Sequence, residues 1–340
     1  MALYGGPVTL PALADLLAGM RVVALPMRVP FRGLVVREAA LLHGPAGWGE
    51  FAPFVEYRTS EAARWLSSAV DSAWRPWPEP VRALVPVNAT VPAVPAPRVR
   101  EVLARFPGCT TVKVKVAEPG QVRQDDLDRV AAVRDVVGDT GRIRVDANGA
   151  WRVEEAADAL ELLAASDLEY AEQPCASVEE LRALRLLLAR RGVDVPVAAD
   201  ESIRKAEDPM RVRDLEAADF VVVKVAPLGG VRRAMEVVEE CGLPAVVSSA
   251  VDTSVGIAAG VALAAGLPTL PYACGLATVA LLDGDVASPS LLPQDGHLAA
   301  GRVDADPALL ERYAAPPERA RWWGRRLADS YTVLAEGART

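Results

Sequence analysis

Eight short apolar, β-branched runs recur along the chain from residue 83 onward, with helical patterns between them. The runs are ALVPVNATV (83–91), TTVKVKV (110–116), RIRVDAN (142–148), LEYAEQP (168–174), VPVAADE (195–201), DFVVVKVAP (219–227), PAVVSSAV (244–251) and TLPYACG (269–275). Their starts lie roughly 25–30 residues apart, the length of one strand–helix unit. Eight strands alternating with helices predict an α/β protein with a closed, TIM-like parallel barrel. Two of the intervening helices carry clear end signals. Residues 177–191 open with a capping box from Ser177 to Glu180, and residues 230–241 stop before Gly242, with Pro244 close behind.

The chain has 340 residues, which leaves room for a smaller partner beside a barrel. Residues 21–55 read as strands (RVVALPMRV, LVVREAALLHG, WGEFAPF), and residues 60–73 as a helix with Ser60 as candidate N-cap. The proline-rich WRPWPEP at 74–80 marks a boundary. After Leu282 the sequence is turn-rich, and residues 307–336 read as helical and return to the N-terminal segment. The expected division is therefore an α+β segment at 1–82, a barrel at 83–284 and a returning C-terminal segment at 285–340.

Composition excludes several classes. With 51% apolar residues the chain can bury a large core, and a net charge of −8 without any basic block argues against nucleic acid as a partner. Cys109, Cys175, Cys241 and Cys274 form no CxxC pair and no zinc spacing, so they read as thiols of a reduced, cytoplasmic protein. The N-terminal MALYGGPVTLPALADLL has no basic stretch ahead of an apolar run, hence no signal peptide is expected. Thr253–Leu282 has no charge and is long enough to cross a bilayer, but Pro268 and Pro271 interrupt it and three glycines dilute it. It reads as a tightly packed helix followed by a buried strand, with no membrane partner. Nothing in the sequence specifies an oligomeric state.

Chemistry enters where the strands end. Asp146, Glu172 and Asp200 each stand just past an apolar run, on consecutive strands, at the rim where barrels place their sites. Any one of them alone could equally be a helix cap; three in succession are not explained that way. Brought together, three carboxylates would repel and raise one another's pKa, and a hard divalent cation such as Mg²⁺ would relieve this. Lys113 and Lys115 are two apart on one strand and face the same side, while Lys224 sits alone among apolar residues on another. Burial and neighbouring cations can tune such a lysine for acid–base work. A carboxylate substrate held by the metal could then lose its α-proton to a lysine, giving an enediolate. His43 and His297 lie on no barrel strand, so a histidine base or Ser-His-Asp triad is not expected, and there is no Walker A loop and no GxGxxG after a strand.

KVK at 113–115, DAN at 146–148, EQP at 172–174, DES at 200–202 and the lone Lys224, in this order and spacing, resemble the enolase superfamily and its muconate-lactonising-enzyme subgroup. PFRG at 30–33, GWGEFAPF at 47–54, DANGAW at 146–151, SSAVDTSVG at 248–256 and GLAT at 275–278 are similar to a dehydratase branch of that subgroup that serves menaquinone synthesis. The resemblance implies a (β/α)₇β barrel under an α+β capping domain built from both ends of the chain. It implies a lyase in which Asp146, Glu172 and Asp200 bind Mg²⁺, with Mn²⁺ able to substitute. Lys115 would remove the α-proton and then help the hydroxyl leave, Lys224 would steady the enediolate from the opposite face, and Lys113 would support the bound carboxylate. Ser249, Ala250 and Val251 would line the succinyl end of the substrate, partly through backbone N–H groups. Asn148 of the DAN motif is expected at the substrate, as is Arg144, which points the same way as Asp146 by strand alternation. Racemisation of N-succinylamino acids uses the same two lysines and is the alternative reaction. A dipeptide epimerase would need a DxD near the last strand, which is absent, and a non-catalytic ligand-binding barrel would not explain so many buried charges.

Overall fold

A computed structural model describes residues 10–31, 33–203 and 208–337. The first nine residues of the leader reading and Arg32 of the PFRG motif lie outside the described residues. Three antiparallel strands, β1 (Arg21–Phe31), β2 (Leu34–Gly44) and β3 (Gly47–Phe51), form an N-terminal sheet in that order. One face of it buries against the helix Thr59–Trp74, and Gly49 makes this possible, because a Cβ there would collide with the Ala69 carbonyl. The helix starts at Arg58 rather than Ser60: the Arg58 N–H donates to the Glu61 carboxylate at 3.1 Å, leaving Ser60 inside the first turn.

Short β4 (Leu84–Pro86) leads into seven parallel strands: β5 (Ala89–Val91), β6 (Thr111–Lys115), β7 (Arg142–Asp146), β8 (Leu168–Glu172), β9 (Val197–Ala199), β10 (Phe220–Lys224) and β11 (Ala245–Ser248). Their order in the curled sheet follows the chain without exception, as right-handed strand–helix–strand units require. The ALVPVNATV run is thus two strands, because β4 leaves the parallel sheet and pairs antiparallel with β12 (His297–Ala299). The eighth expected strand is reduced to single bridges: Cys274 pairs with Val87 and Gly275 with Ser248, linking the two edges of the sheet. Pro268 and Pro271, which lack the N–H a ladder needs, precede this segment.

The end signals act as expected. Ser177 and Glu180 exchange both capping-box hydrogen bonds, at 2.9 and 3.2 Å, and Gly242 ends its helix at φ 68°. The uncharged stretch after Thr253 forms the almost wholly buried helix Ser254–Gly266, and no helix among the described residues is long and apolar enough to cross a membrane. All four cysteines are free thiols.

The C-terminal segment divides differently from expectation. β12 stays on the parallel unit, and the return to the N-terminal sheet comes later, with Pro317–Gly337. The helical stretch expected over 307–336 consists of Pro307–Arg312 and Pro317–Gly337, since prolines 316 and 317 cannot continue a helix from the preceding turn. In the later helix Trp323 is buried against Phe51, ring centroids 5.7 Å apart, and its indole N–H donates to Glu38 at 2.9 Å. Burying such an aromatic contributes about 2–3 kcal/mol, so this helix anchors the N-terminal unit.

Candidate active site

Register places the charged residues at one level. Lys115 pairs with Asp146, Asp146 with Glu172, and Glu172 with Ala198, across four neighbouring strands at their C-terminal ends. Asp200 follows Ala198 by two positions and so continues on the same side. Lys113 lies one pleat below Lys115, and Lys224 ends β10 on the far side of the acids. The three carboxylates therefore rise from strands flanked by one lysine-bearing strand on each side.

The side chains meet as three lysines against three acids. The Lys113 ammonium lies 2.8 Å from Glu172 Oε1 and 3.1 Å from Asp146 Oδ2. Lys115 Nζ lies 2.5 Å from Asp146 Oδ2 and 2.6 Å from Asn148 Oδ1, and Lys224 Nζ lies 2.5 Å from Asp200 Oδ2. Asp146, Glu172 and Asp200 are 1%, 1% and 2% exposed, so the cost of ionising them depends on these partners. Burial raises the Asp146 pKa, but Lys115 and Lys113 outweigh it and hold the group well below the carboxylate range. Burial and the neighbouring Asp146 instead push Glu172 up to about 7. Burial lowers Lys115, helped by the charge of Lys113, whereas Glu172 and Asp146 overcome burial and lift Lys113.

Burial and Asp146 keep Glu172 raised despite Lys113, so a further cation beside it would favour its ionised form. The donors offered are carboxylate oxygens, without sulfur or imidazole, and that chemistry fits a hard divalent cation such as Mg²⁺. Among the described residues no three acidic, histidine or cysteine side chains are drawn tightly enough to enclose an ion. Lysine ammoniums stand where carboxylates would otherwise converge: Lys113 bridges Glu172 and Asp146.

Neighbouring residues fix these groups. Gln173, in the left-handed region at φ 36°, accepts from the Asp200 N–H at 2.8 Å and donates to the Cys175 carbonyl and the Ser202 hydroxyl. It thereby pins the end of β8 to the end of β9 and sets Asp200. The EQP motif contains it, but a backbone-pinning role leaves no mark in a sequence beyond a glutamine following the acid. Buried Arg129 donates to the Lys115 carbonyl at 2.8 Å and to Asp126, whose other oxygen accepts from Ala117 N–H. From the N-terminal unit, the Phe31 ring covers Lys115, its centroid 5.3 Å from Nζ.

Two further groups of expected contact residues have partners of their own. Arg144 shares a face with Asp146 but lies a pleat lower, fully buried, donating to Asn88 Oδ1, the Ala273 carbonyl and Glu169, and stacked 4.7 Å over Tyr170. These partners hold the guanidinium below the level of the three acids. In the loop after β11, the Ser249 hydroxyl donates to Gly275 O, and the Ala250 N–H is taken by Asp252 at 3.1 Å. Val251 sits in the left-handed region at φ 60°, its carbonyl accepting from Arg37.

Residues 98–305 match the model of an enolase C-terminal domain-like family, and residues 22–73 that of an enolase N-terminal domain-like family. The o-succinylbenzoate synthase of Mycolicibacterium smegmatis is 58% identical over 325 residues, covering 95% of this chain and 98% of that protein. That of Thermobifida fusca is 56% identical over 308 residues, covering 91% and 94%. Among solved structures, a muconate lactonizing enzyme from Pseudomonas fluorescens, complexed with muconolactone, superposes with a TM-score of 0.73 at 20% identity, over 87% of this chain and 98% of that one.

Proposed function

The chain belongs to the o-succinylbenzoate synthases of the enolase superfamily, and from that premise we propose that it is a metal-dependent lyase that dehydrates 2-succinyl-6-hydroxy-2,4-cyclohexadiene-1-carboxylate to o-succinylbenzoate. The observation that carries the mechanism is the flanking of three buried carboxylates by Lys115 on one wall and Lys224 on the other. We read the curled sheet with its link through residues 274–275 as a (β/α)₇β barrel. The N-terminal sheet, the helix Thr59–Trp74 and the helix Pro317–Gly337 form its capping domain. The product would enter menaquinone synthesis.

Asp146, Glu172 and Asp200 would hold Mg²⁺ or Mn²⁺. When bound, the cation supplies Lewis-acid stabilisation of the negative charge that develops on the substrate carboxylate. Lys115 takes the proton from the carbon next to that carboxylate. Burial, which lowers its pKa, favours the neutral form a base needs. The same ammonium then returns the proton to the departing β-hydroxyl, so one face of the substrate suffices. Lys224 contributes its charge from the opposite wall. Asn148 holds Lys115 by its side-chain oxygen and directs the ammonium.

A second reading is favoured by Lys224 itself, since an ammonium on each wall also suits racemisation of an N-succinylamino acid. The two are separated by incubating the purified protein in D₂O with each substrate. Formation of o-succinylbenzoate with at most slow deuterium entry into the amino acid is expected. A kcat/KM for racemisation equal to or above that for dehydration would reverse the ranking.

A further inference from the structure

Behind the wall that carries Lys224 lies a second group of buried charges that the mechanism above does not use. Glu50 on β3 reaches out of the N-terminal sheet to the start of the helix Ser254–Gly266. Its Oε2 accepts from Thr253 N–H at 3.1 Å, from the Thr253 hydroxyl at 2.6 Å and from Gly256 N–H at 3.1 Å. A carboxyl group from one unit thus caps a helix of the other, satisfying donors that a helix start leaves open. The fit is close: a Cβ on Gly256 would stand 2.8 Å from that same oxygen. Arg37 on β2 grips the same loop one step earlier, donating to the Val251 carbonyl at 3.1 Å and to Ala52 O.

The other oxygen of Glu50, Oε1, is buried and has no hydrogen-bond partner. Glu50 lines a cavity of about 20 Å³ together with Lys224, Ser248, Asp252, Ser68 and Ser72. That is room for one water, and the lining supplies the polar partners such a water needs. Burial and the adjacent Asp252 lift the Glu50 pKa to about 8, which favours the protonated acid, and Oε1, which the helix does not engage, is the oxygen left to donate.

We propose that Glu50 is a positioning residue: by capping the helix after β11 and holding one ordered water in this cavity, it fixes the loop Ser249–Val251 and the adjoining Lys224 wall against the substrate. The inference rests on the dehydratase reading given above. Ser248 is in register with Lys224, so the loop that leaves Ser248 begins level with the Lys224 backbone. The N-terminal unit thereby shapes the substrate pocket without touching the substrate at this point.

Glutamine copies the protonated acid, with an acceptor for the helix and a donor for the water; leucine copies only its bulk. Steady-state kinetics on the cyclohexadiene carboxylate, a thermal melt and calorimetric binding of o-succinylbenzoate are measured for wild type, Glu50→Gln and Glu50→Leu. Glu50→Gln is expected to stay within about threefold of wild type, while Glu50→Leu melts cooperatively but loses about tenfold or more in KM and product affinity, with a smaller change in kcat. A folded Glu50→Leu protein with wild-type KM and product affinity overturns the proposal, as does a Glu50→Gln protein as impaired as Glu50→Leu. If Glu50→Leu does not fold, Gly256→Ala pushes on the same contact from the other side, and an unchanged KM there overturns it equally. Wild-type protein that fails to dehydrate the substrate would count against the dehydratase reading alone, and the product-binding comparison still tests Glu50.

Discussion

The two lysine-bearing walls of the site are held in different ways. The Lys115 wall is braced from within the parallel unit: Arg129, on the helix Arg123–Val137, bonds the Lys115 carbonyl, and Asp126 of the same helix bonds the Ala117 N–H. The Lys224 wall is braced from outside it. Glu50 and Arg37 of the N-terminal sheet hold the loop and helix that follow β11. The ammoniums differ accordingly. Lys115 has two fixed partners, Asp146 and Asn148, and a ring above it, whereas Lys224 is bonded to Asp200. A group that must move a proton along one path gains from such close confinement. A group that acts by charge needs only its approximate place, and its wall can be braced by a separate unit.

Removing what both walls share should have the largest effect. Chelation with EDTA is expected to abolish dehydration and added Mg²⁺ or Mn²⁺ to restore it, because three buried carboxylates at adjacent strand ends serve both lysines. Asp146→Asn should mimic chelation, with a loss of at least about 10³-fold in kcat. Full activity in exhaustively chelated protein would remove the metal from the mechanism and leave the two walls bridged by ion pairs alone.

The next test separates the walls. Lys115→Ala should fold normally and lose about 10³-fold in kcat, the scale of a positioned acid–base group. Lys115→Arg should be nearly as poor, since a guanidinium cannot give up its proton. Lys224→Arg keeps its charge and should retain dehydration within about tenfold, whereas Lys224→Met should lose about 10²-fold, as when one electrostatic donor is removed. Equal losses for the two arginine variants would mean that both lysines transfer protons, which is the requirement for racemisation.

How far the sequence reveals this arrangement depends on whether a feature is local. The acids, the lysines and the strand positions are legible because strand period and strand ends are short-range patterns, and register then aligns Lys115, Asp146 and Glu172. Arg144 shows the limit: period two gives its face, but its depth depends on Glu169, Asn88 and the Ala273 carbonyl, from three other parts of the chain. Glu50 stands in GWGEFAPF with no role legible there, because its partners Thr253 and Gly256 lie 203 and 206 residues away. The eighth strand was legible as an apolar run, yet its prolines reduce it to bridges whose existence only the closing of the sheet decides. Long-range partners of buried polar groups, rather than elements, are what the one-dimensional pattern conceals.

The smallest expected effect concerns the bracing of the second wall and is read as stability, not rate. The Glu50 carboxyl has a folded-state pKa of about 8, raised by burial and by Asp252 against the pull of Arg37. Asp252 is itself raised by burial, Arg37 keeps its charge beside both, and Lys224 faces them across the cavity. In the unfolded chain Glu50 titrates near the ordinary glutamate value of about 4.3. Below that value the group is protonated in both states and favours neither. As the pH rises from there towards 8, the unfolded chain releases the proton and the folded one keeps it, so the unfolded state is favoured and stability falls. Above 8 the folded protein must carry a buried carboxylate, and the loss is complete. Glu50→Gln has no proton to release and should flatten this slope, gaining steadily on the wild type as the pH rises from 5 to 8. Urea unfolding at pH 5, 6.5 and 8 measures it, with Arg129→Lys, which changes the bracing of the other wall without a titrating acid, as the control that should show no such divergence. If wild type and Glu50→Gln keep a constant difference in midpoint across this range, Glu50 is ionised throughout. Its hold on the Lys224 wall would then be that of a charged helix cap, and the proton donor to the cavity water would have to be sought elsewhere.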